Sequence, residues 1–115
     1  MRFVRIVATL LAAMTPVFAH HSFQAQYDSK QQTTVTGTVT KVLWQNPHVR
    51  VNLEVKNDTG GAATWELELD SPNMLLSQGW KLDSIKTGNQ ITANGARARN
   101  GSNALRAKTI TLAPH

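Results

Sequence analysis

Residues 48–56, HVRVNLEVK, alternate strictly between polar and apolar side chains. A two-residue period of this kind predicts a β-strand with one buried and one solvent-facing side. Residues 64–70, TWELELD, repeat the pattern after the turn sequence NDTGG. The two segments are therefore predicted to form a β-hairpin. The apolar side of the first strand consists of Val49, Val51, Leu53 and Val55.

The outer side of this hairpin combines opposite charges. Arg50 and Lys56 on the first strand can pair with carboxylates on the second. Exposed ion pairs add at most about 1 kcal/mol each, so they would set the strand register more than the stability. The alternation predicts that the acidic residues lie on a solvated face, which is unsuited to a catalytic pair of acids. These acidic residues are Glu54, Glu66, Glu68 and Asp70.

Three more strands and one helix complete the predicted order of elements. Residues 33–44, TTVTGTVTKVLW, are rich in β-branched side chains, which favour a strand. Residues 90–98 and 104–112 are the other strand candidates. Ser71 followed by Pro72 predicts the start of a short helix. Five strands with a helix between the third and the fourth are typical of an all-β, OB-like barrel, whereas a β-sandwich needs about seven strands.

The first nineteen residues have the layout of a secretory signal peptide. Arg2 and Arg5 form a basic start, residues 6–14 are apolar apart from one threonine, and VFA at 17–19 resembles a cleavage site. The apolar run is far shorter than the ~20 residues that a membrane helix needs. We expect cleavage after Ala19 and a periplasmic or secreted product with no stable membrane anchor.

One domain is expected after the signal peptide at residues 1–19. Residues 20–32 are polar and show no period, which predicts an extended N-terminal arm. Residues 33–115 are assigned to the barrel. The chain has no cysteine, so no disulfide can stabilise an exported domain and its stability must come from the core.

The net charge of the full chain is +5, and a basic patch is predicted late in the sequence. Arg97, Arg99 and Arg106 lie close together there and can attract anions. The patch is too small to indicate nucleic acid, and an exported protein rarely meets that ligand. The sequence therefore predicts no nucleic-acid partner, and a solvated basic face is the alternative to an anion site.

Four stretches of the mature chain resemble a known family. In chain order they read HHSFQAQYD, GTVTKVLWQNPHVRVNLEV, WELELDSPNMLLSQGW and GNQITANGARARNGS. The most specific parts are HHSF at 20–23, W-x-NPH at 44–48 and GW at 79–80. These features are similar to a family of short exported bacterial proteins known as domain of unknown function 6152. The resemblance implies an exported small β domain and implies no activity.

Three histidines are candidate metal ligands: His20, His21 and His48. Cleavage after Ala19 would give His20 a free α-amino group beside its own imidazole, and His21 or His48 would add a second ring. A nitrogen-rich, tetragonal set of ligands suits Cu(II) best among the common metals. Two alternatives remain: solvated histidines on the arm, and a His48 that caps the turn after Pro47.

A second candidate surface involves no metal. Trp44 and Asn46 lie beside His48, where the polar and apolar sides of the chain meet, while Trp65 and Trp80 are expected in the core. An envelope protein, a glycan or a small anion would bind there or at the arginine patch. We find no nucleophile motif and no glycine-rich phosphate loop, so we expect no enzyme. The sequence predicts an exported binding module, with copper as the candidate cofactor and a non-metal partner as the alternative.

Overall fold

The computed structural model describes residues 25–113, which form a closed barrel with the strand order β1-β2-β3-β5-β4. Strands β3 and β5 are parallel, and every other neighbouring pair is antiparallel. The prediction of a five-stranded, OB-like barrel with one short helix is confirmed. The elements are β1 Tyr27–Leu43, β2 Arg50–Lys56, β3 Ala62–Glu68, α1 Pro72–Ser77, β4 Gln90–Ala98 and β5 Ala104–Leu112.

Strand β1 begins at Tyr27, so residues 27–32 belong to the barrel and not to the predicted arm. Tyr27 pairs with Ala98 on β4, and the register shifts between Asp28 and Gln32. The residues of β1 between Asp28 and Gln32 bulge out of the ladder. A bulge of this size removes the two-residue period, which is why the sequence pattern placed the strand start too late.

The ring of strands is closed by a short contact between β3 and β5. Only three residue pairs join them, from Glu66 with Ala104 to Glu68 with Arg106. Strand β1, in contrast, pairs with β4 along most of its first half and with β2 along its second half. At Gly95 of β4, strand β5 comes so close that an added Cβ would overlap the carbonyl oxygen of Arg106.

The core is built from alternate positions of all five strands. Every strand contributes at least one residue that is almost completely buried, and α1 adds Leu75. Ser71 caps α1, because its side-chain oxygen accepts a hydrogen bond from the backbone N–H of Met74 at 3.2 Å. Trp44, Trp65 and Trp80 are half-buried and pack against this core. Its fully buried members include Val39, Val51, Leu53, Leu67, Ile91 and Leu105.

Between residues 25 and 113, no helix has the length and apolar character needed to cross a membrane.

Candidate functional site

The most concentrated set of charges surrounds Glu68, the last residue of β3. Glu68 is only 4% exposed although it lies on the outer side of the strand, so the prediction of a solvated face is wrong at this position. The register explains the burial, because Glu68 pairs with Arg50 on β2 and with Arg106 on β5. A central position between two arginine-bearing strands leaves its carboxylate covered by neighbouring side chains.

Arg50 joins the two carboxylates of β3. Its Nη2 donates a hydrogen bond to Oε1 of Glu68 at 2.8 Å, and its Nη1 donates one to Oε1 of Glu66. Burial alone would lower the pKa of Arg50, but the hydrogen bond to Glu66 and the charges of Glu68 and Glu66 outweigh it and raise the pKa above its ordinary value. The pairing expected for Arg50 across the hairpin is therefore present, and on the Glu68 side it is buried.

Tyr27 covers this cluster from the beginning of β1. Its ring packs against three alanines of β4 and β5, namely Ala96, Ala98 and Ala104. These side chains are small enough to leave a shallow trough on the outer surface for an aromatic ring. The charges of Glu68 and Arg50 both act on the phenol.

The environment of Tyr27 favours its neutral form. Burial raises its pKa above the usual value of 10.0, and the negative charge of Glu68 raises it further, while Arg50 acts in the opposite direction. Because the pKa of Tyr27 is higher in the folded than in the unfolded state, its neutral form contributes to the stability of the fold. This contribution is fully present below pH 10 and is lost as the pH rises through the folded-state pKa.

We expect the phenolate absorbance of the folded protein to appear at higher pH than that of the urea-unfolded chain. Tyr27 is the only tyrosine, so a spectrophotometric titration reports on this residue alone. The urea midpoint should fall as the pH rises above about 10. Tyr27→Phe should abolish the phenolate signal. Identical titration curves for the folded and unfolded chains would contradict the assigned environment.

His48 lies next to the same cluster, just before β2. Its Nδ1 is 3.9 Å from Oε1 of Glu68, and 38% of its side chain is exposed. His20 and His21, the other two predicted ligands, lie outside the described residues. Among residues 25–113, no three His, Cys, Asp or Glu side chains are grouped so that they can hold a metal ion. A metal site at His48 would therefore include ligands from outside residues 25–113.

The residues of the predicted surface around Trp44 do not share one environment: one packs against the core and another is exposed to solvent. Trp44 packs against the core, and its Nε1 is buried with no hydrogen-bond partner among residues 25–113. Asn46 is exposed. Trp44 is thus a packing residue at this end of the barrel, and His48 is the neighbour that meets the charged cluster.

The three arginines of the predicted patch do not share one face. Arg106 pairs with Ala96 and Arg97 pairs with Leu105, so the two arginines point to opposite sides of the sheet. The Arg106 guanidinium contacts Asp70, with Nη2 and Oδ1 2.5 Å apart. Each arginine is instead engaged by a different part of the barrel.

Arg97 lies over the ring of Trp65, 5.1 Å from the ring centroid. It also donates a hydrogen bond from Nη2 to the carbonyl oxygen of Gly101 at 3.1 Å, which ties it to the loop between β4 and β5. Arg99 is more exposed, and its Nη1 lies 3.9 Å from Oδ2 of Asp28. These contacts give Arg97 and Arg99 roles in holding the loop and the start of β1.

Reasoning from the sequence missed Tyr27 and the special position of Glu68. The alternating pattern treats all outward carboxylates alike, so it cannot distinguish Glu68 from Glu66. One signal was present, because alanines stand at outward positions 96, 98 and 104. A run of small residues on a polar face indicates that another part of the chain packs there.

Solved structures confirm the barrel architecture. The mitochondrial single-stranded DNA-binding protein Rim1 of S. cerevisiae is similar with a TM-score of 0.55 and 10% identity, over 71% of this chain and 92% of that chain. The dimeric structure of the N-terminal domain of PriB from Thermoanaerobacter tencongensis gives a TM-score of 0.56 and 19% identity, over 75% and 99% of the two chains. At these identities the likeness concerns the fold.

This comparison corrects the expectation of no nucleic-acid partner. The prediction rested on a small basic patch and on the expected location of the protein. A protein with the same architecture, Rim1, is a single-stranded DNA-binding protein. Nucleic acid therefore belongs among the partner classes that have to be tested.

The family resemblance deduced from the short motifs is also confirmed. No curated protein matches the chain. A family model does match, and it covers residues 8–106, which include β1 to β4, the helix and the start of β5. The chain therefore belongs to DUF6152, a family of unknown function.

Proposed function

We propose that this protein is an exported binding module that holds Cu(II) at its processed N-terminus. The ligands are the α-amino group and imidazole of His20, together with the imidazole of His21 or His48. Export is supported by the signal-peptide layout of residues 1–19. The amine and the rings bind the metal in their unprotonated forms, so binding releases protons.

One observation supports the proposal: Tyr27 at the start of β1 feels the charge of the same buried carboxylate that lies beside His48. Tyr27 is within electrostatic reach of Glu68, and His48 lies 3.9 Å from it. An extended chain from His20 to Tyr27 spans at most about 25 Å, so the N-terminal amine can reach His48 across the outer surface. The position of the start of β1 therefore supports His48 as the third ligand.

The space beside the arm is open. A cavity of about 510 Å³ lies where the chain enters β1, and it is bordered by Gln26, Tyr27 and the loop between β4 and β5. This cavity borders the point at which the N-terminal segment joins the barrel. A half-exposed His48 remains accessible to a metal ion held by such a segment.

The test compares two forms of the chain that begins at His20. In one form the α-amino group is free, and in the other it is acetylated near neutral pH, where this amine reacts before lysine. We expect calorimetry to show a single Cu(II) site in the free form and at least about tenfold weaker binding in the acetylated form. Acetylation is preferable to added residues, because one extra residue would place His21 third from a free amine, itself a strong Cu(II) site.

Two variants complete this experiment. His48→Ala should weaken binding if His48 is the third ligand, whereas His115→Ala should leave it unchanged, because His115 is not part of the proposed set. Equal affinity of the free and acetylated forms would refute the proposal. Weak Cu(II) binding of the same affinity in all these forms would show that the metal binds to individual histidines and not to the proposed site.

A second candidate is a binding module for single-stranded nucleic acid, supported by the fold shared with Rim1. OB-type barrels use the outer side of β2 and β3 and the loops beside it. In this chain that region carries Arg50, Glu66 and Glu68. A labelled single-stranded oligonucleotide, titrated with the same protein, separates the two functions. Saturable binding that weakens with salt would favour nucleic acid, and Cu(II) binding without it would favour the metal.

A further inference from the structure

His48 is held at the end of β3 by backbone contacts on the residue that follows it. The N–H of Val49 donates a hydrogen bond to the carbonyl of Asp70 at 3.1 Å, and the carbonyl of Val49 accepts one from Leu69 at 2.8 Å. Val49 itself is almost completely buried. The backbone at His48 is therefore fixed relative to Glu68, and the imidazole can move only by rotating its side chain.

The two ring nitrogens of His48 have different surroundings. Nδ1 faces Oε1 of Glu68 at 3.9 Å, which is within ion-pair distance but longer than a hydrogen bond. The other nitrogen, Nε2, lies on the opposite side of the ring. A neutral histidine carries its proton on one nitrogen only, and an acceptor beside Nδ1 favours the proton there.

Glu68 is well placed to act as that acceptor because it is itself held in place. Its Oε1, the atom nearest to His48, also accepts the hydrogen bond from Arg50 at 2.8 Å. The side chain of Glu66 is 46% exposed and also bonds Arg50, but no contact with His48 is observed for it. The two neighbouring carboxylates thus differ in burial and in their relation to the histidine.

We propose that Glu68 is a positioning residue that keeps the proton of neutral His48 on Nδ1 and presents Nε2 as the free nitrogen for a ligand. Metal-binding histidines commonly use this arrangement, in which the nitrogen that does not bind the metal donates to a carboxylate. The consequence for copper rests on the function proposed above. The choice of tautomer is a property of the apoprotein and holds whether or not copper is the ligand.

The first experiment measures the tautomer without any metal. Imidazole nitrogen shifts in ¹⁵N-labelled protein, recorded at a pH where His48 is neutral, distinguish Nδ1–H from Nε2–H. We expect mainly Nδ1–H in the wild type and in the control Glu66→Gln. Glu68→Met removes the acceptor and should change the majority to Nε2–H, the form that free histidine prefers. Glu68→Gln keeps the size of the side chain and should give an intermediate mixture.

Two results would overturn the proposal. One is a wild type in which Nε2–H already predominates. The other is an unchanged tautomer in a folded Glu68→Met protein, with folding checked by thermal denaturation. The wild-type measurement decides the matter even if Glu68→Met does not fold, because the amide oxygen of Glu68→Gln can still accept from Nδ1–H.

The second experiment measures copper. If His48 is a ligand, Glu68→Gln should weaken Cu(II) binding by about 10-fold to 100-fold, and Glu66→Gln should not. Wild-type protein that does not bind Cu(II) at all would refute the proposed function, and binding that does not involve His48 would identify His21 as the second ring. Neither result changes the tautomer assignment, which the first experiment decides. If His48 is a ligand in the wild type and both glutamine variants lose the same affinity, the specific role of Glu68 is refuted, while the proposed function is not.

Discussion

Replacing Gly95 with alanine is expected to lower the free energy of unfolding by about 3 kcal/mol. A Cβ at this position would overlap the carbonyl oxygen of Arg106 and lie 2.8 Å from its carbonyl carbon. Both atoms belong to the backbone of β5, so no rotamer change can relieve the overlap. The strands have to separate at the register shift between Asn94 and Gly95, where the ladder is already irregular.

Thermal denaturation measures this effect, with Gly101→Ala as the control. Gly101 lies in the loop between β4 and β5 with φ of 79°, and nothing is within 4 Å of its added Cβ. Its replacement costs only backbone strain, about 1 kcal/mol. For a domain of this size the Gly95 variant should lose at least about 10 °C in Tm, and the control much less. Similar losses in both variants would contradict a steric cause at Gly95.

The second large effect is expected for Arg50→Met, which removes the main partner of a buried carboxylate. Removing one partner of a buried ion pair lowers the free energy of unfolding by about 3–5 kcal/mol, because the other charge is left buried without a partner. Because the Arg50 side chain is 32% exposed, we expect the lower end, about 3 kcal/mol. Urea denaturation of the variant should show a lower midpoint than that of the wild type.

A second substitution separates the loss of the pair from the loss of packing. In the double variant Arg50→Met, Glu68→Leu, no buried charge is left behind, and most of the stability should return. Arg99→Met is the surface control, because this half-exposed arginine lies 3.9 Å from Asp28 and should contribute less than about 1 kcal/mol. A double variant as unstable as Arg50→Met would show that the unpaired carboxylate is not the cause.

The predictable parts of this fold are those that depend on local pattern. Strict alternation in residues 48–56 and 64–70 predicted β2 and β3 to within two residues at either end. Ser71 and Pro72 predicted the start of α1, since capping and a proline in the first turn are local chemistry. Their order in the chain then favoured an OB-like barrel over a β-sandwich, which needs about seven strands.

The parts that could not be predicted depend on which elements meet. The start of β1 was misplaced because its pairing with β4 is interrupted by a bulge. Glu68 was assigned to solvent because alternation gives the side of a strand but not what covers that side. At the candidate site, His48 was identified from its neighbours in sequence, whereas Tyr27 reaches the same cluster only through the fold.

The short contact between β3 and β5 determines where this barrel is least cooperative. Three residue pairs close a ring whose other joints are longer, and Glu66 and Ala104 are far apart in the sequence. Local opening that breaks this joint exposes Leu67 and Leu105 but breaks far fewer strand pairs than separation of β1 from β4. Slow hydrogen exchange should thus be concentrated along β1 and β4, and the amides at the joint should exchange first. Because Glu68 is the last residue of that joint, the carboxylate beside His48 sits on the part of the barrel that opens most readily.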